Sequence, residues 1–226
     1  MTRWFSYLVL FWGVFLILVS GCEKGEDSPD PITDIDGNIY ETAKIGNQVW
    51  MVDNLRTTRY NDGTDIKMIT KSHEWYNAVV PAFSWYNNDS AMFRVPYGGL
   101  YNGYVAVDDK ICPEGWHIPD LEEWRELVVY LGDTLIAGGK LKEEGLSQWY
   151  PPNKGADNSS RFTGLPAGIR YFEGTFSSLS YFTAFWSANE SDTASMHYMS
   201  LSYLDSKATF GIKSRNHGFS IRCIRN

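Results

Sequence analysis

The sequence has no run of lysine and arginine, and its 27 acidic residues outnumber its 20 basic ones, for a formal net charge of -7. That balance excludes a nucleic-acid-binding surface, or one held to an anionic membrane by charge. The spacings that mark common enzyme chemistries are also missing: there is no HExxH, G-x-S-x-G, P-loop or G-x-G-x-x-G. Histidine is scarce. His73, His117, His197 and His217 are scattered, and none stands at a metal-ligand spacing to a cysteine. The adjacent acids Asp108-Asp109 and Glu143-Glu144 point in different directions on a strand or helix, which suits surface charge better than a catalytic pair. The expectation is a protein that is not an enzyme and carries no cofactor. Calcium has little to support it. Asp34, Asp36 and Asn38 resemble the start of a calcium loop, but Gly37 comes fourth where an EF-hand needs its glycine sixth, so the segment reads as a turn.

Long apolar runs are confined to one place. Trp4 to Val19 is apolar apart from Ser6 and Gly13, with Arg3 ahead of it. Such a run is long enough to span a bilayer, which takes about 17 residues or more. The residues behind it favour a secretory signal over residues 1–21 instead. Val19-Ser20-Gly21-Cys22 resembles a bacterial lipobox, so Cys22 is expected to be lipidated and to become the mature N-terminus. The polar, proline-containing stretch 22–33 reads as a flexible tether, leaving 34–226 as the domain. The expected location is exported and fastened to the outer membrane by lipid, with the acids behind Cys22 favouring the cell surface. The membrane, through that anchor, is the one partner implied here.

Cysteine is equally sparse, at three residues. Without Cys22, an even pair remains, Cys112 and Cys223, and in an exported protein such a pair is expected to form a disulfide. The rival is a reactive or copper-binding thiol pair.

Aromatic residues are plentiful, at 15% of the chain. Trp50, Trp116, Trp124 and Trp186 fall on apolar strand or helix positions and read as core. Trp75, Tyr76, Trp85, Tyr86, Trp149 and Tyr150 fall instead among Asn, Ser, Pro and Gly, in loops. Rings in such company can stack on sugar rings or anchor a protein partner. They can equally pin long loops to the domain. Asn87, Asn88 and Asp89 either line such a site, hold a cation, or make a turn.

The pattern of elements is α+β, with mainly antiparallel strands, one or two helices and long loops. Asp36-Gly37 closes a hairpin between 32–35 and 38–43, and Gln48–Val52 follows as a strand. The clearest helix runs from Asp120 to Leu131, with Asp120 and Glu123 as a capping pair, and a shorter helical piece surrounds 139–143. Strands return at 162–163, 168–170, 185–187, 198–201 and 219–223.

Eight segments in order resemble one family. They are DIDGNIYETAKIGNQVWMVDNL (34–55), SWYNNDSA (84–91), YGGLYNGYVA (97–106), CPEGWHIPDLEEWREL (112–127), AGGKLKEEG (137–145), FTGLPAGIR (162–170), FWSANE (185–190) and GFSIRCIRN (218–226). Together they resemble the Fibrobacter succinogenes major paralogous domain of exported Bacteroidota lipoproteins. The resemblance implies a C-type-lectin-like fold, shared with formylglycine-generating enzymes, in which the N- and C-terminal strands lie together. It implies no established ligand. The EPN- or QPD-type tripeptide of calcium-dependent lectins is absent, and both domain cysteines stand where structural ones would. The function expected is a binding or adhesion module that contacts a glycan or a surface protein through loop aromatics. The rivals are an envelope enzyme related to the formylglycine-generating group and a purely structural lipoprotein.

Overall fold

A computed structural model describes Met1 and residues 29–226. The rest of the expected signal 1–21, the lipidation residue Cys22 and tether residues 22–28 lie outside the described residues. The end of the tether is held: Ile32–Thr33 pairs with Ile39–Tyr40, and Thr42 Oγ1 donates to the Pro29 and Asp30 carbonyls. Among the described residues, no helix is long and apolar enough to cross a membrane.

The architecture is α+β. A four-stranded sheet runs in the order Thr42–Ile45, Gln48–Met51, Ile224–Arg225, Trp116–His117. A larger sheet begins at Ala208–Ser214, Ser195–Ser202 and Phe182–Asp192. It continues through Ala167–Arg170, Gly218–Phe219, Leu100–Asn102, Ala82–Ser84 and Lys67–Met68, with Phe176–Leu179 paired beside Ala167–Arg170. Pairing between these strands is antiparallel except where Thr183 lies beside Gly168 and Lys67–Met68 beside Ala82–Phe83, and Phe185 makes an isolated parallel bridge to Ser220.

The single strand expected at 219–223 is in fact a link between the two sheets. Gly218–Phe219 lies inside the large sheet and Ile224–Arg225 inside the small one. Between them the backbone bonds to both sides: Trp186 N–H donates to the Ser220 carbonyl at 3.1 Å, and Met51 N–H to the Cys223 carbonyl at 3.1 Å. The disulfide Cys112–Cys223 closes this segment onto the residues before Trp116–His117. The expected strand at 162–163 is also absent: Thr163 has φ of 53°, outside the β region, and Phe162 is buried as a core plug.

Among the described residues four α-helices form, where one or two helices were expected: α1 Ser72–Tyr76, α2 Ser90–Tyr97, α3 Leu121–Tyr130 and α4 Ala137–Leu141. In α3, Glu123 N–H donates to Asp120 Oδ1 at 2.8 Å, and Asp120 N–H to Glu123 Oε2 at 2.8 Å, completing the capping box. Its apolar stripe seats Trp124 against Trp50 at 4.6 Å between ring centres, with Phe162 and Phe185 around them. Each such ring contributes roughly 4–6 kcal/mol of burial before the entropy of ordering is subtracted. A second cluster, around Trp186, Tyr101, Phe83 and Phe219, fills the other side of the large sheet.

Candidate functional site

The structure places the six loop aromatics in two different environments. Trp75, Trp85, Tyr86 and Trp149 are buried, so they form no exposed platform and do not meet in one cleft. Their polar neighbours face outward while the rings turn in, because the loops carry partners for them. Trp75 Nε1 donates to the Asn216 carbonyl at 2.7 Å, and Trp149 Nε1 to the Gly164 carbonyl at 2.9 Å. Trp85 stands edge-on to Phe83, and Tyr86 sits between Phe93 and Phe176. Only Tyr76 and Tyr150 remain exposed. Asn87 and Asn88 adopt left-handed backbone (φ 50° and 59°), and Asp89 Oδ1 caps α2 by accepting from Met92 N–H at 3.1 Å. Their local geometry is that of a turn and a helix cap. The hairpin acids are likewise occupied: Asp34 accepts from Asp36 N–H, from both Asn38 donors and from Tyr40.

Three buried cations hold the loops against aromatic rings, their donors directed at carbonyl and amide oxygens. Arg170 lies 4.2 Å over Trp75 and donates to the Gly174, Ile69 and Thr70 carbonyls. Arg222 lies 4.1 Å over Phe162 and donates to Asn54 Oδ1 and the Phe162 and Thr163 carbonyls. Lys142 donates to the Lys154, Ser202 and Asp205 carbonyls at 3.0, 2.9 and 2.8 Å. Irregular loops leave inward carbonyls that no ladder satisfies, and a long cation supplies several donors at once. Burial pulls the groups down, Arg170 to about 10, Arg222 to about 9 and Lys142 to about 8.

The cleft with the most chemical character lies elsewhere, on the large sheet. It encloses about 340 Å³ over a floor of Ile169 and Phe219. Its walls carry Tyr171, Tyr181, Tyr198 and Tyr203, with Phe182 between them. Strand register builds it: Phe182 pairs with Ser202, and Tyr198 lies four residues back on the same face as Ser202. Tyr203 N–H donates to the Tyr181 carbonyl at 3.1 Å, which sets those two rings 5.1 Å apart. Burial alone holds the Tyr198 phenol above its ordinary range, so its hydroxyl is a neutral donor.

The profile of the Fibrobacter succinogenes major domain matches residues 43–225, which include both cysteines of the disulfide and the whole cleft. The chain belongs to that family. No curated protein and no solved structure matches it.

In this Fibrobacter succinogenes major domain, the cleft carries Ser178, Ser202, Lys213 and His217 beside the tyrosine hydroxyls, and among the described residues no carboxylate lines it. His217 Nδ1 donates to the Ser214 carbonyl at 3.1 Å, leaving Nε2 as an acceptor. Burial holds this imidazole below its ordinary range, so it is neutral near pH 7. His117, by contrast, is bracketed by Asn226 Oδ1 and Glu123 at 2.6 and 2.8 Å, a structural role. Flat apolar rings with hydroxyl, ammonium and imidazole groups among them can hold a polyhydroxylated ligand by stacking and hydrogen bonding. The sequence reading missed this cleft. Its signal was tyrosine beside turn residues, as in Tyr171-Phe172-Glu173-Gly174, Ser180-Tyr181 and Tyr203-Leu204-Asp205-Ser206, rather than tryptophan among asparagines.

Proposed function

We propose that this domain is a non-catalytic glycan-binding module, exported and fastened to the outer membrane through lipid at Cys22. The tyrosine-walled cleft on the large sheet is its contact surface, in place of the loop tryptophans. The observation that carries this reading is the four-tyrosine lining with polar groups interspersed and no carboxylate pair. Hydrolysis of a glycosidic bond calls for two carboxyl groups flanking it. An enzyme of the formylglycine-generating kind calls for reactive thiols, whereas Cys112 and Cys223 are both buried and joined to each other. The fold is best read as C-type-lectin-like, a reading supported by the pairing of Ile224 with Trp50 that brings the two ends of the domain together.

The test is a glycan array probed with the full-length protein in detergent, beside a Tyr198→Ala variant. Retention of at least one glycan by the wild type, with loss of about tenfold or more in the variant, is expected because a stacked ring contributes about 0.5–1.5 kcal/mol beyond its buried area. Indifference of the wild type to every glycan, or equal binding by the variant, would remove this reading.

A further inference from the structure

A second depression, also enclosing about 340 Å³, lies on the other side of the 213–217 turn, with Tyr76, Val79, Phe172 and Ser214 in its lining. The two share that turn as a common wall, since Lys213 and His217 line the first and Ser214 and Asn216 the second. Aromatic rings run across the divide without a gap. Tyr76 lies 6.2 Å from Phe172, Phe172 5.7 Å from His217, and His217 6.1 Å from Tyr171 at the cleft wall. At the far side of the cleft the series continues through Tyr181 to Tyr150, 4.7 Å apart. Phe172 is 44% exposed, and Tyr76 and Tyr150 are each more than half exposed, at 55% and 52%. His217, only 5% exposed, joins the two depressions from beneath, while Tyr76, Phe172 and Tyr150 keep much of their area in solvent and are placed to be covered by something long.

The track is also rigid. Asn216 Nδ2 donates to the Trp75, Tyr76 and Ala78 carbonyls, and Trp75 Nε1 returns a bond to the Asn216 carbonyl. The C-terminal end of α1, which carries Tyr76, is thereby fixed to the turn that divides the depressions, so the rings are positioned before any ligand arrives. Its charges do not favour either sign: Lys213 is the cation, Glu173 beside His217 is the acid, and His217 is neutral. A polymer bearing a charge on each unit finds no matching row of partners. A linear chain of uncharged sugars finds a series of flat apolar faces with Ser, Tyr and Asn groups between them.

We propose that the cleft and the Tyr76–Phe172 depression form one track that binds a linear, uncharged polysaccharide across several consecutive sugar units. This rests on the glycan-binding reading above and extends it from a single pocket to a chain. The experiment is calorimetric titration of the full-length protein with cello-, malto-, xylo- and manno-oligosaccharides, each from disaccharide to hexasaccharide, and with oligogalacturonates as the charged series. In at least one neutral series, affinity is expected to rise about threefold to tenfold for each added unit that gains a stacked ring. The double variant Tyr76→Ala/Phe172→Ala, altered only at exposed positions, is expected to flatten that rise while leaving the affinity for the disaccharide unchanged. Equal affinity for disaccharide and hexasaccharide would overturn the track and leave the single-pocket reading standing. Preference for oligogalacturonate, weakened by salt, would overturn the choice of an uncharged ligand. Absence of binding in every series would overturn both readings.

Discussion

Replacing Lys142 with methionine tests whether buried cations hold the loops in place. The substitution keeps an unbranched apolar stem and removes the ammonium that donates to the carbonyls of Lys154, Ser202 and Asp205. The Lys154 carbonyl keeps a second donor, Ser206 Oγ at 3.2 Å, so the loss falls mainly on the other two. A buried acceptor deprived of its donor costs about 1–3 kcal/mol. Against this, the variant no longer keeps a charge out of water, a penalty visible in the pull on this amine down to about 8. Three short donor contacts outweigh that relief, and the net loss is expected to be about 2–4 kcal/mol. Such a loss is a large fraction of the ~5–15 kcal/mol by which domains are stable. Urea unfolding followed by tryptophan fluorescence measures it, with Trp149, whose ring lies 5.5 Å from the ammonium, as a local reporter. The comparison holds if the m values agree. A variant within about 0.5 kcal/mol of wild type, the range of an ordinary surface substitution, would refute the reasoning.

Cys112→Ala/Cys223→Ala opens a bridge spanning 111 positions, and loop entropy sets the loss at about 4–5 kcal/mol, read from the shift in urea midpoint. Both cysteines are buried, so thiol titration after mild reductant is expected to find free groups only once denaturant is added; thiols exposed without it would contradict the structure. Burial works against the proton on His117, but its hydrogen bonds to Asn226 and Glu123 raise its pKa above 6.5 overall. Its contribution is therefore complete below pH 6.5 and lost as pH rises through the folded value. Melting curves of wild type and His117→Gln should converge as pH is raised; a gap that widens instead would reverse the assignment. His217 behaves in the opposite sense, because burial lowers its pKa below 6.5. Its contribution is complete above pH 6.5 and lost on acidification, so His217→Asn should narrow the gap to wild type as pH falls, measured in the same way.

Local features of the fold were readable in the sequence. The α3 capping box was, because Asp120 and Glu123 are three residues apart and act on one turn. The Asp36-Gly37 hairpin was as well, since Gly37 at φ 79° supplies the positive angle the turn needs. Helix α2 was not readable: Pro96 interrupts its pattern, and Phe93 and Tyr97 are held by Tyr86, Leu100 and Ala167 from elsewhere in the chain. The burial of the loop tryptophans was unreadable for a related reason. Polar neighbours around Trp75, Trp85 and Trp149 described the outer side of each loop, while the rings took the inner side. The cleft, by contrast, is assembled from residues between Ile169 and Phe219 that belong to several different strands and turns. No short window contains it, and only strand register brings Phe182, Tyr198 and Ser202 together.

The position of Gly218–Arg225 also constrains how the protein is made. Neither sheet can close until this segment has arrived, because it fills an interior slot in each. It also brings Cys223 and Arg222, so the bridge to Cys112 and the guanidinium over Phe162 arrive at the same moment. A chain that lacks it therefore stays open, and a stop codon shortly before Gly218 should be as damaging as one near the middle of the message.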